Sequence, residues 1–239
     1  MKILSDAVGS NINISAVVSN PLKESVWWGS NAGYEYAERN RVPFISNIKR
    51  NIYDIRKCIS DNNINFLISV GHNWIVDEET LELVKGNAVN LHLAILPAYQ
   101  GNFTFNHAIL NHDIKYGITL HFMQKEVDTG DYIIMPTFDI NNNDTAYSLY
   151  CKAVNLGVQS FKSFVDLLDS GKTIPRHRLV GTPVFYDRHS IDGKREISDT
   201  GDVREVETKA RAFYFPPFEK AYFKINNCKY YIEPEVRDD

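Results

Sequence analysis

Asn90, His92 and Asp128 place an amide, an imidazole and a carboxylate within one stretch of chain, residues 90–131. An amide N–H can steady an oxygen that is gaining negative charge. An imidazole can take up a proton near neutral pH, and a carboxylate beside it fixes its tautomer and raises its basicity. Such a set can carry out an acyl transfer with neither a metal nor a covalent nucleophile. Between its members runs Leu96-Pro97-Ala98-Tyr99-Gln100-Gly101, and Asp128 opens Asp128-Thr129-Gly130-Asp131. That last tetrapeptide is also a good turn formula, with Gly130 expected at positive φ. Each piece alone is commonplace; their joint occurrence at this spacing is specific.

Elements of alternating type must position these groups. Ile12 to Val18 and Phe66 to Val70 read as strands, the second apolar enough to be covered on both faces. Ile52, Ile55 and Ile59 have helical spacing within Asn51 to Asn62, and Asp77 to Lys85 reads as a short helix capped by Asp77. Val89 to Leu93, Ile118 to Met123 and Tyr132 to Ile134 follow as strands. On the first of these Asn90 and His92, two apart, point to one face. If the strand from Ile118 is its neighbour, Asp128 can reach His92. The alternation predicts an α/β fold, a mostly parallel sheet with helices on both faces. Ligands of such sheets sit at the carboxyl ends of the strands.

Residues 144–170 read as the longest helix, with Asp144 as its cap and Gly171 beyond its end. The text then changes character, with more aromatics and shorter elements. Val203 to Phe213 reads as a helix that breaks at Pro216-Pro217. Ala221 to Ile225 and Lys229 to Ile232 form a hairpin about Asn226-Asn227. A soft boundary near 172–180 divides a catalytic domain, 1–175, from a small C-terminal α+β or hairpin subdomain, 176–239. Met1 to Leu4 looks like a first strand but lies too close to Ile12 for a parallel crossover. Either it is helical or the usual first strand is missing.

Composition narrows the class. The 239 residues are 44% hydrophobic and 23% charged, with a formal net charge of −4, ordinary for a globular protein and without a basic stripe for nucleic acid. Cys58, Cys151 and Cys228 have no CxxC spacing, so neither a disulfide framework nor a zinc site is expected. No apolar run is long enough for a membrane span and no leader is evident, so the expectation is a cytoplasmic protein.

Asn90-x-His92, Leu96-Pro97-x-Tyr99-x-Gly101 and Asp128-Thr129-Gly130-Asp131 resemble the signature of the folate-dependent formyltransferases. The likeness runs over about 52–170. It implies a Rossmann-like domain with 10-formyltetrahydrofolate as formyl donor, no metal, and an amine as acceptor. Asn90 would stabilise the oxyanion, His92 would remove the amine proton and Asp128 would orient His92. The family's pterin lies against the loop after the strand matching Phe66 to Val70, which points to His72, Asn73, Trp74, Ile75 and Val76, with Asp131 nearby.

Arg211-Ala212-Phe213-Tyr214-Phe215-Pro216-Pro217 with Ala221-Tyr222-Phe223 resembles the tail of nucleotide-sugar N-formyltransferases. The substrate side would use Tyr99, Gln100, Gly101, Asn102 and Arg211, with Phe215 or Tyr222 stacking on the base. Arg176, Arg178, Arg188, Lys194, Arg195 and Lys209 are further candidates for a diphosphate. Gln100 stands where several relatives carry arginine. The resemblance implies a dTDP-linked amino-dideoxy sugar as substrate, best dTDP-4-amino-4,6-dideoxyglucose, feeding bacterial surface-polysaccharide (lipopolysaccharide O-antigen) synthesis. The crowding of Phe213, Tyr214, Phe215, Phe218, Tyr222, Phe223, Tyr230 and Tyr231 points to a homodimer joined through the aromatic tail. Formyltetrahydrofolate hydrolysis is an alternative, as is formylation of glycinamide ribonucleotide or methionyl-tRNA.

Overall fold

The computed structural model describes residues 12–19, 32–46, 51–71 and 75–235; the Met1 to Leu4 question lies outside them. In chain order the described elements begin with β1 (Val17–Ser19), α1 (Ala32–Asn40), β2 (Phe44–Ser46), α2 (Ile52–Asp61), β3 (Leu67–Val70), α3 (Glu78–Leu83) and β4 (Ala88–His92). The two-residue β5 (Gln100–Gly101) precedes α4 (Thr104–Leu110), β6 (Lys115–Gly117), β7 (Thr119–Phe122), β8 (Tyr132–Ile134) and β9 (Thr137–Asp139). The long α5 (Ala146–Asp169) leads to β10 (Phe185–Tyr186), α6 (Val203–Ala212), β11 (Ala221–Ile225) and β12 (Cys228–Ile232). This is a mixed α/β fold with parallel strand pairs and a small C-terminal hairpin. Helices α1 and α4 and strands β2, β5, β6, β9 and β10 are short pieces that periodicity did not reveal.

Backbone contacts divide the chain into two compact units that interleave in sequence. The first comprises 1–92, 120–134 and 157–179; the second comprises 93–119, 135–156 and 180–239. The tail therefore groups with the segment carrying Tyr99 and Gln100 and with the start of α5. Only the last crossing, Leu179 to Val180, lies in the stretch 172–180.

In the first unit β3 and β4 pair in parallel, with Ser69 beside Asn90, inside the order β3-β4-β7-β8. Strands β7 and β8 are antiparallel, with a register shift between Leu120 and His121. The sheet is thus mixed rather than purely parallel. Helix α2 buries Ile55 and Ile59 against Val76, Leu81, Val84 and Ala88, which fixes the spacing read from the sequence. Asp77 caps α3 by accepting from the Thr80 N–H at 2.9 Å.

In the second unit the cap of α5 differs from expectation. Thr145 and Ser148 exchange bonds, each side-chain oxygen accepting the other's backbone N–H, at 3.1 and 2.9 Å, a reciprocal box that satisfies two orphan donors. Asp144, buried, instead meets Lys152 Nζ at 2.7 Å and accepts the Ser148 hydroxyl. Asp202 caps α6. Asn226 and Asn227 turn the β11–β12 hairpin with φ of 49° and 63°, the two positive values that this turn requires.

Candidate functional site

Strand β4 ends in Asn90 and His92 and lies beside β7, so the first unit holds the amide, the imidazole and the loop 123–131 that carries Asp128. His92 Nδ1 stands 3.7 Å from Asp128 Oδ2, and Asn90 Nδ2 stands 3.5 Å from Asp128 Oδ1. The side chains of His92 and Asp128 are 13% and 7% exposed, so a proton taken up by His92 would meet the carboxylate with little screening by water. The three residues singled out in the sequence are together.

A fourth residue joins them that the sequence reading passed over. His121 Nε2 lies 3.3 Å from Asn90 Nδ2 and 3.4 Å from Asp128 Oδ1, and its Nδ1 lies 2.8 Å from the Phe122 carbonyl oxygen. The ring is 2% exposed and sits edge-on to His92, centroids 6.5 Å apart. The available signal was a histidine inside the run Ile118 to Met123, apolar but for Thr119. The register between β7 and β8 shifts beside it: Leu120 pairs with Ile134 and His121 with Tyr132, so that Ile133 is the extra residue.

The loop works differently from the turn formula. Positive φ belongs to Asp128, at 56°, and not to Gly130. Aspartate tolerates that region better than most residues because its short side chain bonds locally. Gly130 is required for another reason: a Cβ there would land on the Phe122 carbonyl oxygen. Thr129 Oγ1 donates to the Glu126 carbonyl at 2.9 Å, and Phe122 N–H donates to the Asp131 carbonyl at 2.9 Å, closing the loop at its base. Arg176, offered as a phosphate ligand, has its guanidinium carbon 3.4 Å above the Phe122 ring, a cation–π contact on the same strand.

Of the residues expected at the pterin, His72, Asn73 and Trp74 lie outside the described residues. Val76 is a core residue of the first unit, 7% exposed, in one cluster with Ile55, Ile59, Leu81, Val84 and Ala88. Ile75 is 64% exposed. Asp131 is half-buried.

The substrate-side candidates all fall in the second unit. Tyr99 is buried, stacked on Tyr186 with centroids 5.7 Å apart; its hydroxyl donates to Asp113 and accepts from Asn111 Nδ2 at 3.1 Å. Burial, and then the Asp113 carboxylate, push the phenol well above its ordinary range. Gln100 is buried, and β5 pairs with β10 so that Gln100 N–H meets the Val184 carbonyl at 3.0 Å and Asn102 N–H the Tyr186 carbonyl at 2.8 Å. Gly101, at φ 88°, has no room for a Cβ against the Tyr186 carbonyl. Asn102 is exposed, and so is Phe103, which occupies the left-handed region at φ 55° just before α4. A bulky residue held there marks stored strain, which clusters at functional loops; no sequence signal announces it.

Arg211 Nη1 donates to the Asp144 carbonyl at 3.1 Å, and Phe215 packs on Tyr147, Tyr150 and Phe218. Tyr222 faces Tyr231 and carries Lys229 Nζ 4.1 Å from its ring centre. Lys209 is engaged with Glu205 and the Glu196 carbonyl, and Arg195 lies over Phe213. Among the described residues no cluster of His, Cys, Asp or Glu is arranged to hold a metal ion, and no helix is long and apolar enough to cross a membrane.

Comparison with known proteins places this site in context. The sequence profile described as Formyl transferase matches residues 8–165. A methionyl-tRNA formyltransferase of Clostridioides difficile (strain 630) is 29% identical over 227 residues, 94% of this chain and 72% of that one. A GDP-perosamine N-formyltransferase of Brucella melitensis is 28% identical over 70% of this chain, which spans 64% of that enzyme's length. Among solved structures, the N-formyltransferase of Helicobacter canadensis, in complex with folinic acid and dTDP-3-aminofucose, superposes with a TM-score of 0.75 at 26% identity, covering 95% of this chain and 80% of its own.

Proposed function

Because this chain belongs to the formyl transferase family, we propose that it passes the formyl group of 10-formyltetrahydrofolate to the amino group of a dTDP-linked amino-dideoxy sugar. The observation that carries the chemistry is the cluster of Asn90, His92 and Asp128 in the first unit. Asn90 offers an amide N–H to the formyl oxygen as negative charge gathers on it. One such donor in comparable sites contributes ~3 kcal/mol to the transition state. His92 turns Nδ1 toward Asp128, which leaves Nε2 to take the proton from the attacking amine and return it to the departing nitrogen of the donor. Asp128 offsets the charge that His92 then carries. The donor's pterin is assigned to the segment after β3, His72 to Val76, with Asp131.

The acceptor is supported by the Helicobacter enzyme, crystallised with folinic acid and a dTDP amino sugar, whose match extends over nearly all of this chain. We place nucleotide recognition in the segment 176–239, with Phe215 or Tyr222 as the stacking surface, Arg211 as a diphosphate ligand, and Tyr99 to Asn102 as the sugar-side loop. Within that class dTDP-4-amino-4,6-dideoxyglucose is the first acceptor to test and a 3-amino sugar the second. Phe218, Tyr230 and Tyr231, each about half exposed, support a homodimer through this tail, which light scattering of the purified protein tests.

One observation favours a second acceptor, the match of a methionyl-tRNA formyltransferase to 94% of this chain. A single assay separates the readings. Tetrahydrofolate release from 10-formyltetrahydrofolate is followed with no acceptor, with each dTDP amino sugar, and with charged methionyl-tRNA. Release that requires an amino sugar supports the proposal. Release that requires the tRNA replaces it, and release without acceptor makes the protein a hydrolase.

A further inference from the structure

Three polar atoms of the first unit, Asn90 Nδ2, His121 Nε2 and Asp128 Oδ1, form a near-equilateral triangle with sides of 3.3, 3.4 and 3.5 Å. The fourth atom that settles the proton positions is the Phe122 carbonyl oxygen, 2.8 Å from His121 Nδ1. A carbonyl only accepts, so Nδ1 carries a proton. Two contacts compete for Nε2: Asn90 Nδ2 at 3.3 Å calls for a lone pair, and Asp128 Oδ1 at 3.4 Å calls for a proton. The Nδ1–H tautomer, with Nε2 as acceptor, is the one that serves both the Phe122 carbonyl and the Asn90 amide.

That tautomer has a consequence for Asn90. Turned the other way, its amide oxygen would face two acceptors at once, the Nε2 lone pair and Asp128 Oδ1. The near-equal sides put the two acceptors about 60° apart at Nδ2, half the roughly 120° between the N–H bonds of a planar amide. One N–H lying between the acceptors can serve both, and the second then diverges from them. Asp128 meanwhile divides its oxygens, Oδ1 to this triangle and Oδ2 to His92. Resting on the formyl-transfer reading above, we propose that His121 is a positioning residue: it locks the Asn90 carboxamide so that one N–H is held for the reacting formyl oxygen. The register shift opposite His121, with Ile133 as the extra residue, and the near-complete burial of the ring are the structural means. Burying an imidazole is costly unless both nitrogens are bonded, and here both are.

Two measurements decide it. Nitrogen-15 spectra of the wild-type histidine rings, with His121 assigned from the His121→Phe protein, report the tautomer without any substrate. A neutral Nδ1–H ring is expected; an Nε2–H ring or an imidazolium at neutral pH overturns the proposal. For turnover, His121→Phe is expected to lower kcat about 30- to 100-fold with KM for donor and acceptor within about threefold, and His121→Gln, which restores a carbonyl acceptor near Nε2, to recover part of it. In an Asn90→Ala background His121→Phe is expected to add less than about twofold, since residues acting as one unit are non-additive. Multiplying effects, or a loss confined to KM, refute the positioning role. If the wild type turns over no amine at all, the formyl-transfer reading fails instead, and the ring spectra still decide the tautomer.

Discussion

At the residue scale the site divides two duties between two oxygens of one carboxylate. Asp128 holds His92 with Oδ2 and Asn90 with Oδ1, from a backbone at φ 56°. Charge and backbone can be separated by substitution. Asparagine tolerates the left-handed region as well as aspartate does, whereas alanine pays roughly 1 kcal/mol there. Asp128→Asn is therefore expected to keep the melting temperature within about a degree or two and to lower kcat by about 10³-fold, because His92 loses its charge partner. Asp128→Ala should show the same kinetic loss together with a measurable drop in melting temperature. Equal turnover of Asp128→Asn and the wild type would remove Asp128 from the catalytic set. His92→Asn should abolish turnover while nucleotide binding stays measurable by calorimetry.

At the scale of elements the important piece is the junction of β7, the register shift beside it and the loop into β8. Gly130 lets the backbone pass against the Phe122 carbonyl, the same oxygen that accepts from His121 Nδ1. A methyl group at 130 must push that carbonyl, and with it the ring that sets Asn90. Gly130→Ala is expected to cost about 1–3 kcal/mol by overpacking. It should also reduce kcat by more than this stability loss explains, since misplacing reacting groups by about 1 Å can cost 10²-fold. Thermal unfolding and steady-state kinetics on the same preparation check both halves; an unchanged kcat would show that the carbonyl has room to give.

At the scale of the whole molecule a second buried histidine sets acid stability. His107, in the second unit, is stacked on Tyr186 at 3.8 Å and bonded to Ser190 Oγ at 2.9 Å. Burial, and then the nearby Lys194 charge, lower its pKa from 6.5 to about 4. The folded state thus keeps the ring neutral where the unfolded chain protonates it. Its contribution is whole above pH 6.5 and is lost as pH falls toward 4, at roughly 1.4 kcal/mol per pH unit. His107→Gln should flatten the fall in denaturation midpoint between those values; an unaltered slope would exclude His107 as its source.

Features that the chain encodes locally are legible in its residues alone. The period of α2 is legible from Ile52, Ile55 and Ile59, the cap of α3 from Asp77, the hairpin turn from Asn226-Asn227. Likewise, Asn90 and His92 share a face because a strand repeats every two residues. Tertiary structure decided the rest. His121 joins Asn90 across 31 positions and Asp128 joins it across 38, and only the order of strands makes them neighbours. Burial of Val76 against Ile55 and Ile59, and of Tyr99 against Tyr186, follows from packing partners remote in sequence, whereas the Thr145–Ser148 cap of α5 is local and was hidden by the rival cap Asp144 beside it. A residue's type and spacing fix which bonds it can make; the fold fixes which partner arrives to make them.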